Sequence, residues 1–84
     1  MEKKTFSISS VSEIAGVSKN RIREWHAKGF LPEIHQISVG SRLHRRFSEH
    51  DITLIAMIDK FQEQGYILAA AVEKARQADE GGAL

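Results

Sequence analysis

Apolar residues along the first half of the chain follow two different periods. Val11, Ile14 and Ala15 fall three and four apart, the spacing of one helix face, with Phe6 and Ile8 before them. Ser9 or Ser10 can cap this first helix, and Ser10 with Glu13 has the spacing of a capping box. The helix is predicted to run to about Ala15, with Val11, Ile14 and Ala15 inward. Gly16 then permits a tight turn, and Val17 supplies an apolar contact between helices. Ser18 caps a second helix that ends at Gly29, with Lys28 in its last turn. Ile22 and Trp25 are its buried stripe. Most of its other positions are polar: Lys19, Asn20, Arg21, Arg23, Glu24, His26 and Lys28. Pro32 prevents this helix from continuing.

The helical period disappears over residues 33–47. Ile37 and Val39 alternate with polar neighbours, Gly40-Ser41 offers a turn, and Leu43 to Phe47 can return as a second strand. A short β-hairpin with basic arms is predicted, its register left open. Ser48 with Asp51 then makes a capping box for a third helix. Ile52, Ile55, Ile58 and Phe61 are its main inward set, widened by Leu54 and Met57, and Gly65 stops it. Leu68, Ala71, Val72 and Ala75 recur at helical spacing in a fourth helix to about Ala78, after which DEGGAL is expected to fray. The fold class that follows is mainly α: a winged helix-turn-helix of about four helices, with a short β-hairpin wing between helices two and three. Its 84 residues are expected to form a single domain, with the helix-turn-helix over 9–29, the wing over 33–47 and supporting helices over 48–78.

Charge sharpens this picture. The net charge of +1 conceals nine Lys/Arg against five Asp/Glu in residues 1–50, and three against six in residues 51–84. A basic half can meet a polyanion while the acidic half avoids it. The absence of cysteine excludes a disulfide framework and a thiolate metal site. MEKKTF has no long apolar run behind it, unlike a secretory signal, and no stretch approaches the roughly 18 apolar residues of a membrane span. A cytoplasmic protein is expected.

Histidines 26, 35, 44 and 50 are separated by nine, nine and six positions, which matches no metal motif. Neither a metal nor another cofactor is expected. Glu24 and Asp51 make no persuasive acid/base pair, and no glycine-rich phosphate cradle is present, so the chain does not read as an enzyme.

Two short helices joined at a glycine, the second basic at its start, suit double-stranded DNA, because an α-helix fits the major groove. Lys19, Asn20, Arg21 and Arg23 are the candidate contacts from helix two. Asn20 suits adenine, and Arg21 suits guanine or a phosphate. Arg21 and Arg23 lie about 200° apart around the helix, so they do not reach the same base. Arg42, Arg45 and Arg46 are the wing candidates. Alternation places Arg45 and Arg46 on opposite sides of the hairpin, one facing DNA and the other available to an acid on helix three. Trp25 reads as core rather than as a stacking platform, since no second aromatic is interleaved with it.

These segments in order resemble the start of the MerR family of winged-helix transcription regulators. The resemblance rests on FSISSVSEIAGVSKNRIREWHAKGFLP at 6–32, on His44-Arg45-Arg46-Phe47-Ser48 followed by Asp51-Ile52, and on Gln64-Gly65-Tyr66 with Leu68. It covers about residues 6–75. It implies that Arg23 contacts phosphate, that Arg45 binds DNA from the wing, that Lys19, Asn20 and Arg21 face the groove, and that Trp25 is the core aromatic. The chain departs from the family pattern at several positions. Glu24 replaces a tyrosine, which either weakens backbone binding or gives a nearby arginine a partner. His26 replaces a glutamate, Leu43 a wing glycine, and Ile67 a small polar cap. The resemblance is to the DNA-binding domain alone, without the long dimerisation helix and effector domain of the full-length regulators.

Sequence-specific DNA binding in transcriptional regulation is the function this implies. A phage-type excisionase or terminase DNA-binding module, and a protein-binding module of the same fold, are the alternatives. Helix four, with Ala69 to Ala71 near Tyr66 and Ile67, is the candidate surface for a homodimer or an adjacent protein partner.

Overall fold

The computed structural model describes residues 4–32 and 34–80. Their elements in order are α1 (Ile8–Ala15), α2 (Lys19–Ala27), β1 (His35–Val39), β2 (Arg42–Arg46), α3 (Glu49–Glu63) and α4 (Leu68–Glu80). The expected architecture, four helices with an antiparallel hairpin between the second and third, is the one observed. Asp79 and Glu80 of the expected frayed tail belong to α4, and residues 81–84 lie outside the described residues. The wing begins at His35; its expected first position, 33, also lies outside them.

Helix α1 starts earlier than the serine pattern predicts. Ser7, not Ser9 or Ser10, is the N-cap, and its Oγ accepts from the Ser10 amide at 3.2 Å. The cause is tertiary. Phe6 and Phe47 exchange backbone hydrogen bonds of 2.7 and 2.9 Å, which makes the chain extended up to Ser7 and lets the helix begin at Ile8. The Ser10–Glu13 capping box is therefore replaced by the Ser7 cap. Ile14 was expected inward and is 60% exposed. At 100° per residue, Ile8 and Ala15 lie about 60° and 40° to one side of Val11, and Ile14 about 60° to the other. The core occupies the first side: Val11 is buried, and Ile8 and Ala15 pack against it.

The turn between α1 and α2 uses Gly16 at φ +73°, where its amide donates to Ser12 O. Ser18 caps α2 as predicted, its Oγ accepting from the Arg21 amide at 3.2 Å. Past the end of α2, the Phe30 amide donates to Trp25 O and the Gly29 amide to His26 O, both at 3.0 Å, a Schellman arrangement. The hairpin pairs Val39 with Arg42 across a Gly40-Ser41 loop. Gly40 has φ +62° and no described non-glycine residue has positive φ, as a type II′ turn requires.

In α3 the capping box forms: the Ser48 amide donates to Asp51 Oδ2 at 2.8 Å, and the Asp51 amide to Ser48 Oγ at 3.1 Å. Asp51 is buried, and its charge faces the positive end of the helix dipole. Asp51→Ala is expected to cost about 1–2 kcal/mol. A lower urea midpoint with an unchanged slope at neutral pH is the result that checks it.

The core gathers Val11, Val17, Ile22, Trp25, Leu31, Ile34, Phe47, Leu54, Ile55, Ile58, Ala71, Val72 and Ala75. Leu54, expected only to widen the α3 face, is fully buried, whereas Ile52 and Phe61 lie partly buried at the edge. Ala71 and Ala75 on α4 allow its backbone to approach α3 closely. No helix among the described residues is long and apolar enough to cross a membrane.

Candidate nucleic-acid interface

Burial of Ile22 and Trp25 decides which side of α2 faces out. Lys19, Asn20 and Arg23 are exposed, and Arg23 Nη1 donates to Asn20 Oδ1 at 3.2 Å. Arg21 turns the other way. Its Nη1 lies 2.9 Å from Asp59 Oδ1, and its Nη2 donates to Gln62 Oε1 at 2.7 Å, both on α3. The same guanidinium lies over the Trp25 ring, 5.0 Å from its centroid. Arg21 thus braces α2 against α3, and the structure does not bring it together with the other basic candidates.

The hairpin register sorts the wing. His35, Ile37 and Val39 pair with Arg46, His44 and Arg42, and Gln36 pairs with Arg45. Alternation then separates Arg45 from Arg46, as expected. Arg45 reaches back to α2, where its Nε donates to His26 Nδ1 at 2.9 Å. The Gln36 amide nitrogen lies 3.5 Å from the other ring nitrogen. Burial first, and the Arg45 charge second, hold the His26 pKa below its ordinary value. Both factors favour the neutral ring, the form whose Nδ1 accepts from Arg45.

Arg46 was a candidate for pairing with an acid on α3. Instead its Nε and Nη2 donate to Thr5 Oγ1 at 3.2 and 3.1 Å, and Nη2 also donates to Thr5 O at 3.3 Å. The Phe6–Phe47 bridge explains the difference, since it runs the N-terminal segment beside the end of β2. Glu24 pairs with Lys28, one turn along α2 at 3.6 Å, rather than with an arginine.

Arg23 from α2 and His44, Arg45 and Arg46 from β2 line one depression of about 290 Å³, together with Ser7, Ile8 and Ser9 at the start of α1. Three arginines and the first residues of a helix, its positive dipole end, therefore border the same concavity. Arg42 is exposed at the far end of the wing, beside the turn. Lys19 and Asn20 are exposed on the first turn of α2. Among the described residues no three His, Cys, Asp or Glu side chains converge as metal ligands.

The contribution of α1 to this depression was missed in the sequence, because it depends on where α1 begins. The His26–Arg45 bond was missed because it depends on the hairpin register. The one local signal for it was the histidine standing where the resembled pattern has a glutamate.

A model of the MerR HTH family of regulatory proteins matches residues 6–78. The chain belongs to this family. Among solved structures it is similar to HiNmlR, a MerR family regulator lacking the sensor domain, in a crystal structure bound to promoter DNA. The TM-score is 0.74 at 22% identity, over 93% of this chain and 57% of that one. At that identity the likeness is one of fold, and the chain spans little more than half of the protein it matches. No curated protein matches it.

Proposed function

We propose that this MerR-family chain binds double-stranded DNA to regulate transcription in the cytoplasm, acting by binding and not by catalysis. The observation that carries the reading is the shared depression: Arg23 of α2 and Arg45 and Arg46 of the wing border one concavity beside the start of α1. A protein-binding module has no need of that alignment. A DNA backbone does, because a phosphate seated there meets charge-assisted donors from two elements at once. The first turn of α2 then enters the major groove with Lys19 and Asn20 leading, and Arg42 meets the flanking backbone from the wing tip. Arg21 supports the groove-facing helix from behind. The family match and the promoter-bound neighbour favour transcription regulation over an excisionase or terminase role.

One such domain covers a short site, so useful specificity needs a second copy or an adjacent protein. Tyr66 and Ile67, exposed at the α3–α4 junction, belong to the candidate surface for that contact.

Fluorescence anisotropy of the chain on mixed-sequence duplex DNA tests this reading. About four neutralised phosphates predict a loss of about 10²-fold in affinity between about 50 and 200 mM salt. Absence of binding at the lower salt would overturn it.

A further inference from the structure

Arg45 is the wing arginine that α2 holds in place. Its Nε is committed to His26 Nδ1 at 2.9 Å, which leaves the outer edge of the guanidinium for the depression it shares with Arg23. The hydrogen bond has a chemical condition: Nδ1 must carry a lone pair. Arginine offers donors only, so a protonated imidazole ends the bond and sets one cation against another. A carboxylate in this place would hold the arginine at any pH above the carboxylate range. A histidine holds it only while neutral.

We infer that His26 is a positioning residue for the wing, holding Arg45 toward DNA when neutral and releasing it when protonated. The inference rests on the proposed role of Arg45 as a DNA contact, and it adds pH control to that contact.

The surroundings of His26 favour this behaviour. From β1 it meets the neutral Gln36, and from β2 the cationic Arg45; the depression that Arg45 lines also takes His44 and Arg46. From α1 the depression receives only Ser7, Ile8 and Ser9, which are uncharged. On α2, Arg23 adds positive charge, while Glu24 is engaged with Lys28. Among these neighbours no carboxylate is placed to stabilise the imidazolium. The lowered pKa agrees in sign. The clasp is intact above the ordinary histidine value, and it is lost as pH falls through the lower value of the folded state.

The test compares wild type, H26A, H26N and R45A in anisotropy titrations at about pH 7.5 and about pH 5. Circular dichroism establishes that each variant is folded at both. Asparagine places an acceptor oxygen near the position of Nδ1 and does not titrate. Wild type is expected to match H26N at the higher pH and to fall about five- to tenfold below it at the lower, the loss of one charge-assisted contact. H26A is expected to be weakened at both. The other histidines, His35, His44 and His50, are common to wild type and the His26 variants, so their titration cancels in the ratio. In the free protein, NMR titration of the His26 ring should show its pKa rising in R45A. A wild-type to H26N ratio that does not change with pH, in a protein where R45A weakens binding, would overturn the inference alone. Undiminished binding by R45A would remove both the inference and the DNA-contact reading beneath it.

Discussion

Trp25→Ala is expected to lose about 3–5 kcal/mol of stability, the cost of a buried aromatic and the cavity left behind. Trp25 is the largest fully buried side chain. It packs with Ile22 and the α3 residues in the core, and its face carries the Arg21 guanidinium that is tied to Asp59 and Gln62. A domain of this size lies toward the lower part of the usual range of about 5–15 kcal/mol, so the variant should keep only about 0–2 kcal/mol at 25 °C. Urea unfolding followed by far-ultraviolet circular dichroism reads the effect, because the substitution removes the chain's single tryptophan fluorophore. A loss below about 1 kcal/mol would show that the ring is not a core element.

The second large effect separates two arginines only two positions apart. Arg23→Ala is expected to weaken DNA binding by about tenfold on preferred and scrambled duplexes alike, and to lower the salt slope by about one, with stability retained. Arg23 is exposed, and its only described protein partner is the neighbouring Asn20, so little in the fold depends on it. Arg21→Ala should do the reverse. It removes the link to Asp59 and Gln62 and the cover over Trp25, at a cost of about 1 kcal/mol after allowing for partial solvent screening. Its base preference should be unchanged. Paired urea and anisotropy measurements distinguish the two. A change of base preference in Arg21→Ala would show that its guanidinium leaves α3 for the groove when DNA binds.

The link from Arg21 to α3 illustrates what the sequence could and could not say about the interface. The angle between Arg21 and Arg23 was legible, because helix geometry alone sets it. Which of the two would be tied to α3 was not, because Asp59 and Gln62 lie some forty residues away. The same holds for the wing. Alternation predicted that Arg45 and Arg46 would diverge, while their partners, His26 and Thr5, came from elements whose approach no local pattern encodes.

What the sequence by itself determined are the features closed within a few residues. The Ser18 cap, the Ser48–Asp51 capping box, the Gly40-Ser41 turn, the glycine stops and the Ile22/Trp25 stripe each depend on short-range hydrogen bonding, backbone freedom or helical spacing. Together with the ordered family segments, they were enough to predict the winged helix-turn-helix. Only the tertiary structure decided the start of α1, where the Phe6–Phe47 bridge overrode a competing serine, and the outward turn of Ile14. It also decided the union of Arg23, Arg45 and Arg46 around one depression, and the hydrogen bond from Arg45 to His26. The physical reason is common to these cases: a side chain's direction is set by its own backbone, but its partner is set by which element packs opposite.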